Sequence, residues 1–464
     1  MALFQRGKDP VVTADLENAI EAGHGHCSQD KSASVQQPDN YNGITRKIAP
    51  GGESGRRGIH PLHFFRILWT STSDASRLCN ILWPTVPVAL ALRYTKSDLH
   101  LVVFILNYLA MVPCANTIGF AGQEFARKIP KVAGILIENT LGSVVELILF
   151  MVLLTRDQYP VIKSAVLGSI LATMLLCLGL CFFAGGLRRG EQEFSDTVSE
   201  VGCGILLTAF AHSSKQPSVP LLILNLSGFA LIVPSAYYHA IAGASNITEE
   251  AIQDNVLHIS RVTSILLLIA YLIYIWFQMR TQHCIFDAIL KRDEEKDADK
   301  ARDAAKSKLT LTECVIALVV SMTLVTLVAI SLVEQIGYIV EERGITEAFM
   351  GLILVPLVEK AAEHLTAIDE AWDNQMNFAL SHVLGATIQT ALFNTPLVVI
   401  VGWGLGKTMN LNFELFEIII MILAIVVVGN FLRDQKSNYL EGALCVIVYV
   451  IIAVSAFYYP GTSV

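Results

Sequence analysis

Two glutamates sit inside apolar runs where an ionised carboxylate is costly. Glu146 lies in Gly142-Ser143-Val-Val-Glu146-Leu-Ile, and Glu363 in Pro356-Leu-Val-Glu359-Lys360-Ala-Ala-Glu363-His364. A charge at a bilayer centre costs at least about 2.5 kcal/mol, so it persists where it has a partner or a task. Two readings follow. In one, each carboxylate braces a neighbouring helix. In the other, Glu146 and Glu363 form a metal site for a hard cation, with further oxygens from hydroxyls and opened backbone carbonyls. Burial favours the protonated carboxylate and a bound cation favours the ionised one, so the second reading makes protons and cation competitors for the same oxygens. Gly142 and Pro356 are residues that let a membrane helix loosen. Thr140, Ser143, Ser169, Thr173, Glu359, Lys360, His364, Thr387, Gln389, Thr390 and Asn394 supply polar groups near the two glutamates in sequence or on the following apolar run. Any one hydroxyl or amide among them serves equally as a helix–helix hydrogen bond.

The two glutamates are related by an internal repeat. A shift of 217 positions lays Gly134, Glu146, Leu167, Gly168, Thr173 and Leu175 on Gly351, Glu363, Leu384, Gly385, Thr390 and Leu392. Matched glycines and a matched carboxylate are much rarer by chance than matched leucines, so the chain is read as a duplication. If each half holds five helices, an odd number, the halves are inverted, and equivalent helices face each other near the midplane.

Composition supplies the setting. With 53% hydrophobic and 16% charged residues in 464, most of the chain belongs in lipid. A net charge of -8 leaves no electrostatic footprint for nucleic acid. The cysteines include no C-x-x-C pair and read as core residues, and no H-E-x-x-H or nucleophile elbow points to an enzyme. Residues 1–58 read as a disordered polar tail. Predicted spans are 76–94, 98–117, 131–155, 161–187, 197–242, 259–280, 311–333, 345–371, 377–405, 412–432 and 438–459, each near the length a bilayer needs or longer. The run 197–242 is too long for one plain helix and is interrupted by Ala209 to Pro217, so it holds either two helices or one helix with an insertion. The alternating charges from Lys291 to Asp297 read as a solvated helix or linker within a charged cytosolic segment, 281–310. Arg127, Lys128 and Lys131, Arg188 and Arg189, the linker, and Arg433 with Lys436 mark alternate loops as cytosolic, which puts the N-terminus in the cytosol if 197–242 crosses once. Asn246-Ile247-Thr248 is a glycosylation sequon.

Over residues 76–460 the chain resembles the cation/proton exchangers of the Ca²⁺/cation antiporter superfamily, fungal vacuolar Ca²⁺/H⁺ exchangers in particular. The stretches that carry the resemblance are Gly142 to Ile148, Leu167 to Leu171 through Gly179 to Gly186, Ala361-Ala362-Glu363-His364, Leu384 to Thr387, and Asp434 to Ala443. It implies an all-α membrane protein of about eleven transmembrane helices: a leading helix at 76–94, a first repeat at 98–280 and an inverted second repeat at 311–460. It also implies an insertion near 208–226, and Ca²⁺/H⁺ antiport at an acidic vacuolar membrane with Ca²⁺ and H⁺ as cargo and no cofactor. The pattern departs from the family at Ser143 and at Glu359-Lys360, where Gly-Asn is usual, at Ala172-Thr173 in place of Ser-Asn, and at Ile330 in place of an acid. Glu138, Glu146, Glu359 and Glu363 against Lys360 still leave a site suited to a divalent ion. Lys360 neutralises Glu359 or Glu138, pairs with Glu363, or snorkels away. The alternatives to Ca²⁺/H⁺ antiport are exchange of a monovalent or other metal ion, and a non-transporting descendant in which Lys360 fills the site.

Overall fold

The computed structural model describes residues 54, 58–71, 73–95, 99–129, 131–195, 219–242, 248–280, 283–296 and 306–460. Nearly all of the 1–58 tail, the sequon at Asn246 and residues 196–218 lie outside them. Six described helices are long and apolar enough to cross a membrane: His100–Ala126, Tyr159–Arg189, Glu249–Gln278, Leu311–Arg343, Met376–Gly404 and Tyr439–Tyr458.

The chain opens with α1 (Pro61–Thr70), which the sequence reading did not foresee. The leading helix expected at 76–94 is instead two pieces, α2 (Asp74–Cys79) and α3 (Thr85–Thr95), joined by a 3₁₀ turn. Next come α4 (His100–Ala126), α5 (Lys131–Gly142), α6 (Val144–Thr155), α7 (Tyr159–Leu171) and α8 (Leu178–Arg189). The span expected at 131–155 is therefore broken at Ser143, and a π-helical turn, Ala172–Cys177, joins α7 to α8. A short strand, β1 (Glu191–Glu193), precedes α9 (Val219–Ile241) and α10 (Glu249–Arg280). Helix α9 begins at Val219, so the end of the insertion expected at 208–226 is already helix.

The charged linker is not simply solvated. It contains α11 (His283–Lys296), in which Leu290 and Asp293 are buried. The Asp293 carboxylate accepts the backbone N–H of Asn377 at 2.8 Å and its side-chain amide at 3.0 Å, and pairs with Lys296. One carboxylate thus docks the linker on the second half.

The second half repeats the first. Helix α12 (Leu311–Arg343) starts on a Thr310–Glu313 capping box, which satisfies free N–H groups at the helix start. Then follow α13 (Glu347–Phe349), a π turn at Met350–Leu354, α14 (Val355–Glu359) and α15 (Ala361–Trp372), so the span expected at 345–371 breaks at Lys360. Helices α16 (Met376–Gln389) and α17 (Thr395–Gly404) flank a π turn at Thr390–Asn394. The chain closes with α18 (Leu415–Phe431), β2 (Lys436–Asn438) and α19 (Tyr439–Tyr458). The breaks at 143 and 360 coincide under the 217-residue shift, and the π turns before α8 and α17 overlap. Strands β1 and β2 pair as a small antiparallel ribbon, the one departure from all-α structure among the described residues.

Packing shows how the halves meet. Helices α4 and α12 lie along each other in opposite directions. At one end Lys128 Nζ donates to the Leu309 carbonyl at 2.7 Å, and at the other His100 bonds Gln335 at 2.8 Å and stacks on Tyr338. Helix α19 packs on α8 as α10 packs on α17. The loops with clustered Lys and Arg share one face: Arg188 pairs with Asp373 at 2.8 Å, and the ribbon ties residues 191–193 to 436–438. On the opposite face Lys407 pairs with Asp157 and Arg156 with Glu334.

Helix α7 crosses the 350–354 turn at van der Waals limits. A methyl group on Gly351 would overlap Ser164, and one on Gly168 would overlap the Leu352 carbonyl. Overpacking of this kind costs about 1–3 kcal/mol. Gly351→Ala is expected to lower the melting temperature of the detergent-solubilised protein by several degrees, whereas Gly337→Ala, with open space around it, leaves it unchanged.

Candidate functional site

The two helix breaks bring the two glutamates together. Glu146 sits in the first turn of α6, just after the break at Ser143, and Glu363 in the first turn of α15, just after the break at Lys360. Between them stands the Lys360 ammonium, 2.7 Å from Glu146 Oε2 and 3.1 Å from Glu363 Oε2. Both contacts fall short of hydrogen-bond angles, so charge more than direction holds the ammonium there. Lys360 and Glu146 are each 1% exposed; Glu363 is 23% exposed. Of the partners read from the sequence, Lys360 therefore takes Glu363, adds Glu146, and does not snorkel away.

The two carboxylates have different surroundings. Glu146 accepts Thr390 Oγ1 at 3.0 Å on both oxygens and Asn394 Nδ2 at 2.8 Å on Oε2. Both donors come from the π turn after α16, whose register is marked by Thr395 Oγ1 donating to the Thr390 carbonyl five residues back. The positions equivalent to Thr390 and Asn394 in the first half are Thr173 and Cys177, so the Glu363 side has no matching amide. Instead Glu363 faces a cavity of about 60 Å³, which Thr173, Cys177, Gly142 and His364 also line. That is room for a few waters, since one needs about 10–15 Å³.

Gly142 earns its place by contact. A methyl group there would overlap Glu363 Oε1, so glycine lets the carboxylate lie against the break between α5 and α6. Glu359 is buried too, and neither of its oxygens makes a hydrogen bond of good geometry within the described residues, although the Ser169 hydroxyl lies beside it. Ser143 is buried at its break. Thr387 is turned to its own helix and donates to the Val383 carbonyl, and the Gln389 amide is buried without a hydrogen-bond partner. Thr140 is exposed on α5, whereas the other expected residues are buried or line the cavity.

The cavity runs from Glu363 toward the face that carries the basic loops, and its outer part holds a second charged group. His382 Nδ1 lies 2.8 Å from Glu370 Oε2, and His382 Nε2 lies 3.8 Å from Glu138 Oε1. Sequence reasoning missed Glu370 and His382. Glu363, Thr366 and Glu370 fall at i, i+3 and i+7, one face of a helix, and that spacing was the available signal. Among the described residues no group of three His, Cys, Asp or Glu side chains converges in the manner of a resident metal site. The two helix starts offer carboxylate oxygens beside a cavity that approaches them from one side.

Comparison with known proteins agrees with this architecture. The model of the sodium/calcium exchanger protein family matches the chain twice, over residues 99–280 and 314–458. A vacuolar calcium ion transporter of Schizosaccharomyces pombe is 30% identical over 381 residues, covering 82% of this chain and 85% of the relative. A Ca²⁺/H⁺ antiporter of Synechocystis is 32% identical over 366 residues, 77% and 91% of the two chains. The crystal structure of the Ca²⁺/H⁺ antiporter protein YfkE superposes with a TM-score of 0.59 at 25% identity, over 81% of this chain and 99% of that one. That of the H⁺/Ca²⁺ exchanger CAX shares the fold, with a TM-score of 0.56 at 12% identity over 83% and 93%.

Proposed function

This chain belongs to the sodium/calcium exchanger protein family, and from that premise we propose that it exchanges Ca²⁺ for H⁺ across an acidic, vacuolar-type membrane. The observation that carries the reading is the meeting of Glu146 and Glu363, one from each half, at a single buried ammonium. The relatives' names favour the same cargo and compartment.

Eleven crossings are proposed: a leading segment, then five helices from α4 to α10 and five from α12 to α19. The antiparallel run of α4 against α12 supports inversion, and the matched packing of α10 on α17 and α19 on α8 supports five helices per half. Residues 98–280 and 311–460 are then the two repeats. The basic face is assigned to the cytosol, so the cavity at Glu363 is the cytosolic entry.

Lys360 is a tethered counter-ion in this scheme. Glu146, Glu359 and Glu363 with one lysine leave two negative charges, which one Ca²⁺ or two protons neutralise. A cation arriving through the cavity takes the place of the ammonium between Glu146 and Glu363. The ammonium turns to Glu359, the buried carboxylate that lacks a hydrogen bond. Water-facing Glu363 exchanges its proton first. Glu146, held by Thr390, Asn394 and Lys360, follows. Alternating access then carries the neutral site across, because an empty, doubly charged site is too costly to move.

The bridging geometry also favours a second reading, a non-transporting descendant, because the ammonium already satisfies both carboxylates. Sealed proteoliposomes with an acidic interior separate the two. The exchanger takes up Ca²⁺ while the pH gradient collapses, and a chain locked by Lys360 responds to no cation. Gly142→Ala tests the geometry on the same assay: by displacing Glu363 it is expected to weaken Ca²⁺ uptake by up to about a hundredfold, the scale for a reacting group misplaced by about 1 Å.

A further inference from the structure

A second cavity lies on the basic-loop face, outside the exchange site. It has about 260 Å³ and is bounded by α1, the end of α4 and the segment leading into α12. Its lining includes His63, Arg66, Thr70, Arg127, Lys306 and Lys308. The acid among its walls, Glu124, is already engaged: it pairs with Arg127 at 2.8 Å and accepts the Leu309 N–H at 3.0 Å. Arg66, Arg127, Lys306 and Lys308 against that one acid give the described lining a net positive charge, and the cavity's size admits a phosphate group with its waters.

Helix α1 fixes the depth of the cavity. Its two faces are sorted: Leu62, Phe65 and Trp69, spaced i, i+3 and i+7, are 90%, 68% and 46% exposed, while His63, Arg66, Ile67 and Thr70 line the cavity. Ile67 pins the helix through a small cluster with Phe120, Leu309 and Cys314. A short helix with bare aromatic and leucine side chains outward, level with the helix ends of a membrane protein, lies in the lipid interface. The basic cavity behind it is then at headgroup level.

We propose that this cavity binds the phosphorylated headgroup of an anionic lipid, with the outer face of α1 in the acyl boundary. The site also adjoins the exchange cavity. Phe120 lines both, and a hydrogen-bond chain runs from Ser71 in the basic cavity through Ser76, at 2.6 Å, to Asn116 in the exchange cavity, also at 2.6 Å. A lipid seated on Arg66 and Lys308 therefore bears on the wall of the cation entry.

The test uses the full-length protein in phosphatidylcholine nanodiscs with and without phosphatidylinositol phosphate, with retained lipid counted by native mass spectrometry. Wild type and the control Arg189→Gln/Arg433→Gln, on the same face outside the cavity, are expected to retain the lipid. Arg66→Gln/Lys306→Gln/Lys308→Gln is expected to lose about tenfold or more in affinity, given the usual contribution of each basic residue near an anionic surface. Arg66→Gln alone, on an exposed helix where folding is not at stake, gives an intermediate loss. Equal retention by wild type and the triple variant overturns the site. If the deacylated headgroup alone binds as tightly as the lipid, the occupant is a free phosphate compound and the lipid assignment fails. Ca²⁺ exchange that ignores the lipid while binding persists overturns the link to the cation entry.

Discussion

Glu146→Gln and Glu363→Gln are each expected to abolish proton-driven Ca²⁺ uptake in proteoliposomes while leaving the protein folded in the membrane. Glutamine keeps the size of the side chain and loses its titratable charge. At Glu146 the replacement still meets Thr390 and Asn394, so the local hydrogen bonding survives in part. The charge count does not: with one carboxylate gone, the two that remain leave a single negative charge beside the Lys360 ammonium, too little to neutralise a divalent ion. Loss of transport should reach the detection limit for either variant, because the site can no longer be neutral both with one Ca²⁺ and with two protons. Substantial exchange by the double variant, measured as Ca²⁺ uptake against gradient collapse, would remove the two glutamates from the mechanism.

Lys360→Asn has the other large effect, and it acts on affinity and stability in opposite directions. Two unit charges about 4 Å apart interact by roughly 4 kcal/mol at an effective dielectric near 20, and a divalent ion feels about twice that. Even heavily screened, removal of the ammonium that now stands between Glu146 and Glu363 strengthens Ca²⁺ binding about tenfold or more, since a tenfold change needs only about 1.4 kcal/mol. Without Ca²⁺ the variant leaves buried carboxylates uncompensated, a loss of about 3–5 kcal/mol. A lower melting temperature in chelator, recovered by Ca²⁺ to a greater extent than in wild type, is the expected signature. The double variant Glu359→Gly/Lys360→Asn removes one carboxylate with the ammonium and is expected to regain stability while keeping the tighter binding. Unchanged affinity and stability in both variants would mean that the ammonium does not compete with the cation.

The meeting of Glu146 and Glu363 at Lys360 was legible in part because the 217-residue shift is written in the residue types themselves. The 217-residue shift paired Glu146 with Glu363 before any contact was known, and it aligned Ser143 with Lys360, the two places where the helices break. What stayed hidden depended on direction. The sequence left Lys360 with Glu359, Glu138 or Glu363 as partners, and only the break at Lys360 itself turns its side chain across to Glu146. Thr387, Thr390 and Asn394 share one apolar run; the π turn swings Thr390 and Asn394 onto Glu146 while the Thr387 hydroxyl stays on its own helix. Gly142 was read as a loosener of the helix and proves to be a clearance for Glu363. Thr140 shares the motif but faces outward. Composition hid the ends as well: α1 was overlooked because ten residues cannot span a bilayer, and Asp293 looked solvated because its neighbours are charged.

The central claim is that protons and cation compete for Glu146 and Glu363, and calorimetry of Ca²⁺ binding to the detergent-solubilised protein tests it most directly. Titrations in two buffers of different ionisation heat count the protons released per Ca²⁺ bound, and repetition across pH follows the affinity. The account predicts net proton release and an affinity that falls as the pH is lowered; Ca²⁺ binding that releases no protons and keeps the same affinity at every pH would contradict it.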